Sequence, residues 1–356
     1  ADVARVVFES DDGEQDVLGI ITPPRDIRAP FRLFIRNFDR DPAGEVVAYG
    51  DDGRELDRVP VAGPPRVSAP GDVESRIAPI AEGPWTELIA FATDRDGNLE
   101  LYAVAPDGDG LRRLTQTAVD ESSPAWHPTG EELAFVSEED GDQTVFVSFL
   151  NGDYDTEMFT GRVVSPIVWS ASGERMAWAI DGVITVAFAI PVTDEEARGV
   201  ADGELNDPSM TCYQPSWSPD GTSLAAECDE EESRELASLW VFDTTSGAGK
   251  VLLGDEHQNY WPAWSPADPE TIAFMSDRDG DADIWILDTA TSELRQLTDL
   301  PGVESSPSWS PDGSALVFAS DGDLYVVAAS GGPPRRLTSG PALDITPAWG
   351  YRPDGA

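Results

Sequence analysis

The sequence predicts an all-β protein: a six-bladed β-propeller preceded by a small β-rich segment. Three observations carry this. A tryptophan-centred phrase recurs at blade-length intervals, each repeat divides into four short β-prone runs, and the chain ends on a lone copy of the phrase.

The phrase is Pro-x-Trp-Ser-Pro-Asp-Gly followed by a short apolar run. Its copies are Pro124-Ala-Trp126-His-Pro128-Thr-Gly130, Pro166-Ile-Val-Trp169-Ser-Ala-Ser-Gly173, Pro215-Ser-Trp217-Ser-Pro219-Asp-Gly221, Pro262-Ala-Trp264-Ser-Pro266, Pro307-Ser-Trp309-Ser-Pro311-Asp-Gly313 and Pro347-Ala-Trp349. Successive tryptophans stand 43, 48, 47, 45 and 40 residues apart, the length of four short strands with their turns. In one repeat, residues 306–309 read as a first strand and 310–313 as a turn, where proline presets φ and glycine tolerates a positive one. Residues 315–319 form an apolar second strand, Asp321-Gly322-Asp323 a hairpin, 324–328 a third strand and 335–338 a fourth. Residues 111–115 and 294–298 repeat that last strand. Arginine or glutamine there suits an outer edge that must not pair with other chains. The recurring tryptophan is expected to pack between blades.

These phrases, with Leu-Ala-Phe and Arg-Arg-Leu-Thr, resemble the WD40-like repeats of TolB-like β-propellers over about residues 76–351. The resemblance implies the propeller fold. It also implies the company of periplasmic interaction proteins, while leaving the partner open. The terminal phrase, residues 345–349, lacks the rest of a blade. Residues 87–92, 99–103 and 111–115 offer the three missing strands, so ring closure through the C-terminal strand gives six blades and no open sheet edge.

Residues 1–72 lack the phrase, and 73–356 are expected to form the propeller. Strands are expected at 3–9, 17–21, 31–37, 45–49 and 55–61, followed by a Pro/Gly-rich linker at 62–71. The segment is shorter and more β-rich than the α/β amino-terminal domain of TolB. As an alternative, residues 31–61 read as strands two to four of another blade and 77–81 as the first strand of the next, which would make seven.

Composition narrows the function. The chain has 356 residues with 67 Asp+Glu against 23 Lys+Arg, a formal charge of −44, and Lys250 is its one lysine. Such a field repels nucleic-acid backbones and anionic membrane surfaces. It fits a solvated surface, cation binding or adaptation to high salt. No run of about 20 apolar residues argues for membrane insertion. Ala1-Asp2-Val3 is compatible with the start of a mature exported chain or with a cut inside a longer one. A monomer is expected.

Loop chemistry points to one acidic face. The hairpins after strand two carry Asp94-Arg-Asp96-Gly97, Glu138-Glu-Asp140-Gly-Asp142, residues 229–232, Asp277-Arg-Asp279-Gly280-Asp281 and Asp321-Gly322-Asp323. Five residues before each tryptophan lie Glu121, Val164, Cys212, Asn259, Glu304 and Asp344, expected to ring the channel mouth on that face. Crowded carboxylates there should hold a cation or a basic peptide, or show raised pKa values. His257, in the adjoining connection, is the candidate functional histidine. His127, in the serine's place in a turn, is read as structural.

Other chemistry finds little support. A Gly-x-Ser-x-Gly elbow, a Cys-x-x-Cys or His-pair zinc motif and a phosphate loop are absent. Calcium is the alternative cofactor, on Asp277-Arg-Asp279-Gly-Asp281-Ala-Asp283 or, more weakly, on residues 39–45. Neither has the full twelve-residue calcium loop. Cys212 and Cys228 sit symmetrically about the turn at 218–223 and should face each other across a hairpin, as a disulfide in an oxidising compartment or as two buried thiols. The sequence therefore supports an extracytoplasmic binding or scaffolding propeller for a protein, peptide or cell-wall component. A hydrolase or lyase built on His257 and mouth carboxylates is one alternative, and the sensory ectodomain of a membrane-anchored regulator is the other.

Overall fold

The computed structural model describes residues 76–77, 86–139, 141–150, 166–180, 182–188, 203–206, 210–230 and 237–351, together with the backbone of strands Val3–Ser10, Gln15–Gly19, Gly44–Gly50, Glu55–Val61 and Asp155–Gly161. The chain divides into two compact units, Ala1–Asp72 and Val73–Ala356. The described part of the first is one antiparallel sheet in the order Gln15–Gly19, Val3–Ser10, Gly44–Gly50, Glu55–Val61. The strand expected at 31–37 lies outside the described residues.

The second unit contains six four-stranded antiparallel sheets, the blades. Blade 1 runs Asp120–Trp126, Glu132–Glu139, Asp142–Phe149, Asp155–Gly161. Blade 2 runs Val168–Trp169, Arg175–Ile180, Val183–Phe188, Gly203–Glu204. Blade 3 runs Met210–Trp217, Ser223–Glu230, Ser238–Asp243, Gly249–Leu253. Blade 4 runs Asn259–Trp264, Thr271–Ser276, Asp283–Asp288, Leu294–Gln296. Blade 5 runs Glu304–Trp309, Ala315–Ser320, Asp323–Ala328, Arg335–Arg336. Blade 6 joins both ends of the unit: the late strand Asp344–Tyr351 pairs with Glu87–Thr93, followed by Glu100–Val104 and Arg112–Arg113. The seven-bladed alternative is not formed. Residues 55–61 belong to the amino-terminal sheet, and Ile77 forms a bridge to Thr115 of blade 6.

The second strands are the most continuously buried, as at Glu87–Thr93, Thr271–Ser276 and Ala315–Ser320. Their two faces are covered by the blades on either side, so they read as continuous apolar runs. Phe91, Phe135, Phe274 and Phe318 occupy the same position in four blades and are fully buried. Six apolar clusters result, each made by two adjacent blades.

The repeat tryptophans lock blade to blade in two ways. Where the residue before the preceding tryptophan is Ala125, Val168, Ala263 or Ala348, the next indole N–H donates to its carbonyl, at 2.9–3.2 Å. Where it is Ser216 or Ser308, the serine hydroxyl accepts the backbone N–H of Trp264 or Trp349, at 2.8 and 3.1 Å. A one-residue choice upstream thus selects the link.

Candidate functional site

The innermost strands carry a shared backbone irregularity. Three residues before the tryptophan, Ser123, Gln214, Trp261, Ser306 and Thr346 have φ of 53°, 52°, 48°, 52° and 49°. Strand register slips at each of these points. A left-handed conformation costs a non-glycine residue roughly 1–2 kcal/mol, so pairing on either side must hold it. Blade 2 has Pro166 at this position. Its ring fixes φ near −65°, and among the described residues this inner strand pairs at Val168–Trp169.

These bulges line a cavity of about 750 Å³ along the inner strands of all six blades. Its wall carries Ser123, Gln214, Trp261, Ser306, Thr346 and the six repeat tryptophans, with prolines between them. Among the described residues no Asp, Glu, Lys or Arg lines it, in a chain with a formal charge of −44. The hydroxyl of Thr346 is buried there without a protein partner.

The residues expected at the channel mouth lie elsewhere. The bulge interrupts the two-residue alternation of the strand, so a position five before the tryptophan is turned into its blade. Glu121, Asn259, Glu304 and Asp344 are 0%, 0%, 0% and 2% exposed, and none lines the cavity. Each is tied locally. Asp344 accepts from Arg95 Nη2 at 2.8 Å, and Asn259 Oδ1 accepts from Arg278 Nη2 at 2.8 Å. In both cases the arginine of an Asp-Arg-Asp-Gly hairpin reaches back to its own blade's inner strand, lying over Tyr102 or Trp285. Glu121 meets Arg76 at 3.3 Å, and burial pushes its carboxyl up to about 7. Glu304 accepts from the Leu300 and Ile284 amides, both at 3.1 Å, and from the Thr298 hydroxyl; burial raises its pKa. Val164 lies outside the described residues. A rim of exposed acids is therefore replaced by buried plugs that fasten loops to blades.

Cys212 and Cys228 pair directly across their hairpin and form a disulfide, with Cα atoms 4.1 Å apart. His257 is half-exposed, with Nδ1 3.7 Å from Asp277, and does not line the cavity. His127 sits in its turn with Nδ1 2.8 Å from Thr129 and its ring edge-on to Trp169 at 4.6 Å, joining blades 1 and 2.

One functional candidate escaped the sequence reading. Glu227, 9% exposed, occupies a second-strand slot filled by Val136, Met275, Ala319 and Ala92 in four other blades. Its Oε2 accepts the Trp261 backbone N–H at 2.7 Å, holding the bulge of the neighbouring blade, and burial pushes its carboxyl up to about 7. A carboxylate inside an apolar run was the available signal.

Of the two acidic runs, residues 39–43 lie outside the described residues. In the other, Asp279, Asp281 and Asp283 each place a carboxylate oxygen within 4.8 Å of the others. Asp283 is fully buried, and its pKa is raised well above the carboxylate range by burial first, then by Glu304 and Asp279.

Six four-stranded blades around an uncharged, tryptophan-lined channel define a six-bladed β-propeller with a pre-formed axial cavity. The TolB beta propeller domain matches residues 185–355. An uncharacterized protein of Agrobacterium fabrum is 31% identical over 216 residues, covering 59% of this chain and 69% of that protein. The chain belongs to the TolB-like β-propeller family. The crystal structure of TolB from Acinetobacter baumannii superposes with a TM-score of 0.59 at 19% identity, covering 86% of this chain and 79% of that one. A Bacillus subtilis protein named uncharacterized peptidase YuxL is 40% identical over 112 residues, 30% of this chain. The chain spans 17% of that relative's length. Among the described residues, no helix is long and apolar enough to cross a membrane.

Proposed function

We propose that the protein is an extracytoplasmic binding propeller that holds an uncharged stretch of a partner polypeptide in its central channel. The observation that carries this reading is the neutral cavity of about 750 Å³. The carboxylates that dominate the surface are absent from this one continuous lining, which holds indole faces, prolines, hydroxyls, the amides of Gln143 and Gln214 and the ring of His127. Such a lining suits backbone and apolar side chains, since pockets combine apolar walls with few polar groups that fix orientation. Strained backbone around the cavity supports a binding role, because such strain collects at ligand clamps. The Cys212–Cys228 disulfide supports an oxidising compartment.

The test is titration of the full chain with neutral, Pro- and aromatic-rich peptides and with Lys-rich peptides, using wild type and a Gln214→Glu/Ser306→Glu variant. Saturable binding of neutral peptides, lost in the variant, is expected. A preference for Lys-rich peptides that the variant leaves unchanged would move recognition to the acidic surface and sink the channel reading. Neutral cell-wall glycan fragments binding instead of peptides would keep the channel and change the ligand.

A second reading is favoured by the peptidase-named relative: the propeller serves as the entry module of a peptidase, and its channel admits unfolded chains. A catalytic role for His257 has weaker support, since it faces one carboxylate outside the cavity. Peptide hydrolysis by this chain that disappears in His257→Ala would reverse that ranking.

A further inference from the structure

Blade 6 and blade 4 carry the same hairpin with two informative differences. Asp94-Arg95-Asp96-Gly97-Asn98-Leu99-Glu100 aligns with Asp277-Arg278-Asp279-Gly280-Asp281-Ala282-Asp283. Strand pairing places Arg113 opposite Tyr102 and Gln296 opposite Trp285, so Arg113 and Gln296 occupy one structural position. In blade 6 the Arg113 guanidinium bridges the two acids, 3.2 Å from Asp96 and 2.7 Å from Glu100. Blade 5 repeats the device, with Arg336 on Asp323.

Blade 4 removes the counter-charge and adds an acid. Gln296 replaces the arginine and Asp281 replaces Asn98. Among the described residues no ion pair reaches Asp279, Asp281 or Asp283. Asp283 is fully buried; its Oδ2 accepts from the Gln296 amide at 3.1 Å, while Oδ1 is sealed with no donor. A buried carboxylate oxygen with no partner carries a heavy desolvation cost. Asp279 and Asp281 are exposed, which leaves a path from solvent.

We propose that Asp279, Asp281 and Asp283 bind a hard divalent cation of the calcium class, at the place where blade 6 holds a guanidinium. Calcium takes six to eight oxygen ligands at about 2.3–2.6 Å, so carboxylate oxygens up to 4.8 Å apart can share one ion. Gln296 donates its amide nitrogen to Asp279 and Asp283. Turned over, the same side chain offers its carbonyl oxygen as a fourth ligand, and water completes the shell. The role of the ion is that of the missing arginine: it fastens the hairpin to strands three and four of its blade.

The test is calorimetric titration of the full chain with calcium chloride in high sodium chloride, which suppresses diffuse binding to the acidic surface. Wild type should show one saturable site. Asp281→Asn, at an exposed position, should weaken it at least tenfold. Gln296→Arg, which restores the blade 6 arrangement, should abolish it while leaving the melting temperature without calcium equal or higher. No saturable binding in wild type would overturn the proposal, as would calcium binding of equal affinity in Asp281→Asn. If Gln296→Arg fails to fold, Asp281→Asn decides alone.

Discussion

Glu227 shows how much a single side chain can couple. Its carboxyl is buried and holds the Trp261 amide, so deprotonating it costs the fold while its bond positions the channel wall. A raised folded-state pKa means no penalty below the unfolded value near 4.5, a growing one as pH climbs to about 7, and the full penalty above. Glu227→Gln keeps an acceptor for Trp261 and removes the charge. It should leave stability unchanged at pH 4 and raise it at pH 8 by up to about 3 kcal/mol, read by urea denaturation at both pH values. Gly350→Ala should act in the opposite direction. A Cβ there would lie 2.2 Å from Trp126 Cγ, inside the contact between blades 6 and 1, and overpacking of this kind costs about 1–3 kcal/mol. Thermal melting checks it, and an unchanged midpoint would mean that Trp126 can yield.

At the scale of the element, the hairpin was legible and the bulge was not. The places of Cys212 and Cys228 follow from a turn midway between them, because antiparallel register is symmetric about its turn. Closing a loop of 16 residues stabilises by about 3 kcal/mol, so Cys212→Ala/Cys228→Ala should melt well below wild type, and a reducing agent should lower only the wild-type midpoint. The bulge left no such trace. Ser123, Gln214, Trp261, Ser306 and Thr346 share a sign of φ and no chemistry, and none is the glycine that would announce it. Because that one dihedral decides which residues line the channel, Glu121, Asn259, Glu304 and Asp344 were expected at an open mouth and lie inside their blades. Blade 2 differs legibly: its phrase places Pro166 one residue early, at the position where five other blades carry the left-handed residue.

For the whole propeller unit, the blade count followed from spacing because each blade repeats its own local pattern, and closure followed from the unpaired terminal phrase. The acidic composition says less about shape than about conditions. A formal charge of −44 repels itself across the surface, and the screening length falls from about 10 Å at 0.1 M salt to about 3 Å at 1 M. The melting temperature should rise over that range, alike for sodium and potassium chloride; a flat profile would mean that the charges are already compensated locally.

The closing blade also sets a clock. The indole of Trp349 donates to Glu87 across 262 residues of chain. At about 5–20 residues per second, a ribosome needs roughly 13–50 s to deliver the strand that Glu87–Thr93 awaits. For that interval an apolar strand stands at an open edge, ready to pair with any extended chain nearby. Newborn copies on one messenger are the nearest source, so whatever shields that edge until Asp344–Tyr351 is made should raise the fraction that folds as closed monomers.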